Sequence, residues 1–187
     1  AALDANTTAS RNTALGDSAA GVNTTGSSLT AVGADALLLN TTGSYNTAVG
    51  DAALISNTTA SNNTAVGYKA GYSNTTGVEN TAVGYNAFED NTTGASNAAF
   101  GDNALANNTT ANNNTALGRV ACFSNTTGAS NTGAGNNALR LNTTGNNNTA
   151  VGQQAGYYIS TGSNNTILGR YDGNQGGLDI RTSSNNI

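Results

Sequence analysis

Catalysis has little to work with in this sequence. Histidine is absent from all 187 residues, so neither an imidazole base nor a His-based metal site can form. The ten acidic residues are dispersed. Asp17 and Asp51 share a phase two repeats apart, Glu89-Asp90 sits in a connecting segment, and Asp102 has only Asn103 beside it. A calcium site needs several convergent oxygens, usually with more than one carboxylate, and no Asp motif recurs. Gly133-Ala134-Gly135 has no phosphate-binding sequel. Cys122 is the one cysteine. It falls in a phase otherwise held by Ala20, Leu37, Leu54, Phe88, Leu105 and Leu139, which reads as a small buried hydrophobe; a reactive or cross-linking thiol is the alternative. The chain therefore reads as non-enzymatic, with no cofactor and no metal.

Partners are bounded by charge and hydropathy. Arg11, Lys69, Arg119, Arg140, Arg170 and Arg181 are scattered and the net charge is −4. Nucleic acid is not expected, because phosphate binding needs clustered cations. No apolar run approaches the roughly 20 residues of a membrane span. The chain opens in mid-repeat, with Ala2 and Leu3 in the phase of Ala19 and Ala20. It reads as a processed or excised piece of something longer, so the absence of a signal peptide carries no weight.

The residues that do recur are asparagine, threonine, glycine and alanine. The triplet Asn-Thr-Thr begins at Asn6, Asn23, Asn40, Asn57, Asn74, Asn91, Asn108, Asn125 and Asn142, a 17-residue period without insertion or deletion. Glycine holds the same register from Gly16 through Gly33 and Gly50 to Gly169, and an alanine column runs from Ala19 to Ala155. So strict a period signifies stacked, equivalent coils. The low charged fraction, 9%, also suits disorder, but disorder requires no register. Three chemistries fit the Asn-Thr-Thr columns. Amides can bond to the copies above and below, making a ladder through Asn23, Asn40, Asn57, Asn74, Asn91, Asn108, Asn125 and Asn142. The triplet also matches a glycosylation acceptor, though copies about 5 Å apart leave no room for a glycan on each. A flat threonine array could bind ice, but Thr24 and Thr25 point to opposite faces, so each coil offers one outward threonine there.

The elements that position these columns are short. Asn63-Thr64-Ala65-Val66 reads as a strand closed by Gly67, whose freedom at positive φ makes a corner. A second strand is expected around Asn57-Thr58-Thr59, closed by a position that is always Gly or Ala. The conformation of Ala53-Leu54-Ile55 is left open. Repeated Asn, Thr and Gly oppose helix. The expected fold is an all-β parallel solenoid (β-roll) of about ten 17-residue coils over residues 1–169, a rod about 50 Å long. Residues 170–187 read as a cap or the start of a following domain, with Leu178–Thr182 alternating like a strand.

Alternation puts Thr64 and Val66 on one strand face and Ala65 on the other, and both faces are apolar. The column Ala14, Ala31, Ala48, Ala65, Ala82, Ala99, Ala116 and Ala150 suits close approach of identical chains about a threefold axis, or else a tight corner. Tyr68, Tyr72, Tyr85, Phe88, Phe123, Tyr157 and Tyr158 make one edge partly aromatic, suited to burial or to stacking on sugars.

Asn46-Thr47-Ala48-Val49-Gly50 and its copies at Asn63–Gly67 and Asn80–Gly84 resemble the head repeats of trimeric autotransporter adhesins. They are still more similar to the Asn-Thr-Ala-Val-Gly repeats of phage tail fibres. The resemblance covers about nine-tenths of the chain. It implies a left-handed β-roll, a homotrimer, and an extracellular, cell-surface or virion fibre that attaches to a surface glycan or receptor. The 17-residue period is longer than the usual adhesin-head repeat. A self-assembling extracellular filament and an ice-binding solenoid are the alternative readings.

Overall fold

A computed structural model of the chain describes residues 1–174 and 180–186. It is an all-β parallel solenoid. The strands are β1 (Thr13–Leu15), β2 (Thr30–Val32), β3 (Thr47–Val49), β4 (Thr64–Val66), β5 (Thr81–Val83), β6 (Ala98–Phe100), β7 (Thr115–Leu117), β8 (Thr132–Ala134), β9 (Thr149–Val151) and β10 (Thr166–Leu168). They form one ten-stranded sheet in chain order, every pair parallel. The register joins equivalent residues of neighbouring coils, as in Thr47↔Thr64, Ala48↔Ala65 and Val49↔Val66. Among the described residues there is no helix.

Each coil carries a single strand. The expected second strand at Asn57-Thr58-Thr59 does not form; these residues bend. Thr41 N–H and Thr42 N–H both donate to Thr58 C=O, at 2.8 and 3.3 Å. One carbonyl thus takes two consecutive donors, which curves the chain instead of extending it into a ladder. The segment left open, Ala53-Leu54-Ile55, is a run of turns with Ala52 and Leu54 in the left-handed region (φ 55° and 50°). Asp35 and Leu37, one coil below, repeat those values at φ 56° and 54°.

The corner glycines meet a second constraint besides φ. A Cβ on Gly50, whose φ is 136°, would lie 2.3 Å from Gly67 O of the next coil. No side chain fits that approach, which accounts for the unbroken glycine column.

The core is narrow. It is built from the strand alanines, the alanines that follow each corner, and a column of larger side chains containing Leu37, Leu54, Phe88, Leu105 and Leu139. Volume is exchanged between neighbouring columns where one deviates. Gly133 replaces a strand alanine, and Cys122 Sγ occupies its space, 2.6 Å from where a Cβ would stand. Gly156 leaves a gap in the leucine column, and Ile167 in the strand column reaches towards it, its Cδ1 3.4 Å from the same construction.

The final segment continues the stack. Ser160 N–H donates to Arg181 C=O at 2.8 Å and Thr166 N–H to Asn186 C=O at 2.7 Å. Asn186 therefore sits over Asn165 with an offset of 21 residues, and the extra residues lie before Ile180. Of the strand expected at Leu178–Thr182, Leu178 and Asp179 lie outside the described residues, and Ile180–Thr182 form no strand.

Candidate functional surface

The asparagines of the triplet point inward. From Asn23 to Asn142 all are buried. Each Nδ2 donates to Oδ1 of its counterpart in the preceding coil, at 2.7 to 3.1 Å from Asn40 to Asn142. The same Nδ2 donates to the carbonyl three residues on, as in Asn57 to Ala60 O at 3.0 Å. Both amide hydrogens are therefore used, and a buried, doubly bonded amide is not a glycan acceptor. The ladder ends where Ile159 takes the asparagine position. Asn142 Oδ1 is left buried without a donor, because the isoleucine above it has none to offer.

A second asparagine column runs beside it, at the residue before each strand. Asn63 N–H donates to Asn46 Oδ1 at 2.9 Å, and Asn63 Nδ2 to Gly77 O at 2.9 Å. Gly77 O also accepts from Asn74 Nδ2 at 3.0 Å. Two amides from the two columns thus clamp one carbonyl, and the same pairing recurs at Gly94 O and Ala111 O. Sequence reasoning read these asparagines only as strand residues. Their recurrence before every strand but β2 was the available signal. Leu29 interrupts the column, so Asn46 N–H lacks the acceptor that Asn63 finds in Asn46.

The first threonine of each triplet is also committed to the coil. Thr24 Oγ1 donates to Thr41 O at 3.0 Å, and the bond repeats up to Thr143 on Ser160 O at 3.1 Å. The strand threonines differ. Thr30, Thr47, Thr64 and Thr81 are half-exposed, and within the described chain their hydroxyls make no hydrogen bond to protein.

The alanine column is not a subunit contact surface. Ala31, Ala48, Ala65, Ala82, Ala99, Ala116 and Ala150 are all buried within the single chain, and Ala14 is partly buried against the same core. Strand alternation turns the alanines inward because only that face meets other side chains of the coil. The outward face carries the threonines and the aliphatic column. That column is exposed at Leu15, Val66, Phe100, Leu117, Val151 and Leu168. No strand residue is charged.

The aromatic residues do not form one strip. Phe88 fills a core slot. Tyr68 and Tyr85 stack on the outside, ring centroids 5.4 Å apart, with Lys69 Nζ 5.4 Å from the Tyr68 centroid. Arg140 lies between Phe123 and Tyr157, 5.8 and 5.5 Å from the ring centroids, and its Nη1 donates to Tyr157 Oη at 2.5 Å. A shallow cavity of about 180 Å³ is lined by Gln154, Tyr157, Tyr158 and Asp172. Cys122 is fully buried, and burial pushes its thiol up to about 12. Among the described residues no group of three metal-ligating side chains comes together, and no helix is long and apolar enough to cross a membrane.

No protein-family model, curated protein or solved structure matches this chain.

Proposed function

We propose that the chain is a rigid, non-enzymatic segment of an extracellular, cell-surface or virion fibre that holds a repeating face out for surface attachment. The observation that carries this reading is the unbroken stack: one sheet of ten in-register parallel strands, with two amide columns and a threonine column bonding each coil to the next. Such nearest-neighbour bonding resists bending and shear along the axis. The dispersed acids and missing histidine support a role without catalysis. A surface glycan or receptor is the partner class. A trimer of the kind the resemblance implies would have to meet through a column other than the alanines, which are spent on the core.

Negative-stain images and light scattering on the same sample test this. Uniform rods about 50 Å long, as discrete monomers or small oligomers, are expected. Compact particles or flexible chains would overturn the rod, and polymers without fixed length would mean a filament subunit instead.

A further inference from the structure

The strand face sets free hydroxyls beside a row of outward valines; the second triplet threonines, such as Thr42 and Thr59, are also exposed and unbonded, but no apolar column stands beside them. On the triplet side, threonine hydroxyls such as Thr24 and Thr41 bond the carbonyl of the next coil. On the strand side, the hydroxyls of Thr30, Thr47, Thr64 and Thr81 have no protein partner in the described chain. Beside each, two residues on, stands an outward valine: Val32, Val49, Val66 and Val83. Strand pairing locks these four coils in register, so hydroxyl and methyl groups lie in two straight rows. Rows repeat about every 4.8 Å along the rod, and the two rows stand about 7 Å apart across it. Charge is absent from the strands, although charged residues such as Asp51 and Glu79 lie just beyond their ends.

We infer that this Thr/Val face binds the surface of ice. The inference rests on the rod reading alone and assigns this face a partner other than the glycan or receptor proposed above. An in-register, uncharged lattice is of use to a partner that is itself periodic. Each free hydroxyl can donate one hydrogen bond to water and accept from it. The valine methyls between them cannot bond water, so they order the adjacent layer into cages instead of competing for it. The single-coil repeat of about 4.8 Å is close to the spacing of oxygen rows in ice. A second copy of the chain fits less well. Three strand residues across ten coils span roughly 500 Å², short of the roughly 800 Å² each partner contributes to a stable complex.

The test is partition of the chain into slowly grown ice, with light scattering and circular dichroism on the same preparations. Wild type is expected to be enriched several-fold in the ice over the residual liquid. Thr64→Lys should be excluded from ice with an unchanged spectrum, and Thr47→Lys, one coil below, provides the same reading if Thr64→Lys fails to fold. Thr59→Lys, on the exposed second threonine of a triplet, should partition like wild type. Exclusion of wild type from ice would overturn the inference, as would equal loss in Thr59→Lys. So would an oligomer that Thr64→Lys dissociates, because the face would then be a subunit contact. Rods in negative stain would survive each of those failures, so the fibre reading stands or falls separately.

Discussion

At the residue scale, the same asparagine does two jobs that are usually divided. Asn91 Nδ2 donates to Asn74 Oδ1 at 2.7 Å and to Gly94 O at 3.0 Å, and its Oδ1 accepts from Asn108 Nδ2 at 3.0 Å and from Gly94 N–H at 3.1 Å. Truncation removes all four at once inside a buried site. Asn91→Ala is expected to lose about 2–4 kcal/mol, since orphaned buried groups cost more than a bond contributes; urea denaturation measures it. An unchanged midpoint would mean that the ladder is ornamental. Cys122 and Gly133 make a coupled pair. Gly133→Ala places a Cβ about where Cys122 Sγ lies, 2.6 Å away, and should destabilise by about 1–3 kcal/mol. The Cys122→Ala, Gly133→Ala double variant should recover most of that loss, which a double-mutant cycle reads directly. The thiol also predicts a pH dependence. Its folded value, about 12, lies above the unfolded value. Between the two the unfolded chain has lost a proton that the folded chain keeps, so stability falls as pH rises from about 8.5 towards 12. Cys122→Ala should remove that part of the decline, as followed by melting temperature at pH 8 and pH 10.5.

At the element scale, the turns are where the fold works against residue preference. Tyr45 holds φ 60° while largely exposed. A bulky side chain in the left-handed region is strained, whereas asparagine tolerates it and occupies the equivalent positions at Asn62 and Asn113. Tyr45→Asn should therefore raise stability by about 1 kcal/mol, seen as a higher melting temperature. A drop would mean that the exposed ring makes a contact the turn depends on. The strand was legible because Asn-Thr-Ala-Val and Gly recur together and only an extended segment satisfies the alternation. The turn over Ala52–Leu54 was not, because alanine and leucine carry no local signal for positive φ. Their conformation is imposed by the coils above and below, through bonds such as Leu54 N–H to Ala70 O at 3.0 Å.

At the scale of the whole molecule, each coil touches only its neighbours. Excision of one complete coil, residues 50–66, should preserve the register and the circular dichroism spectrum while shortening the rod by about 4.8 Å. Excision of half a coil, eight or nine residues, should instead prevent folding, because it would set corner glycines such as Gly33 against the triplet threonines Thr58 or Thr59 and ladder asparagines such as Asn40 against strand residues Ala65 or Val66. Loss of structure in both variants would show that the stack is not modular. The segment after Gly169 already shows that one coil can absorb extra length, since residues 180–186 regain the register with an offset of 21.

The sequence by itself determined the period, the parallel stacking and the coil number, because an unbroken 17-residue recurrence of Gly, Asn and Thr has no other physical use. It also marked the triplet asparagines as partners of their own copies. It could not say which face of Thr-Ala-Val turns inward. Alanine and valine are both apolar, and alternation separates them without ranking them. Only the tertiary structure decided this. The narrow coil has room for a methyl group opposite Leu54 and its equivalents but not for a row of valines, so the alanines close the core. The strand threonines, with their hydroxyls unspent, and the valines beside them are left on the outside.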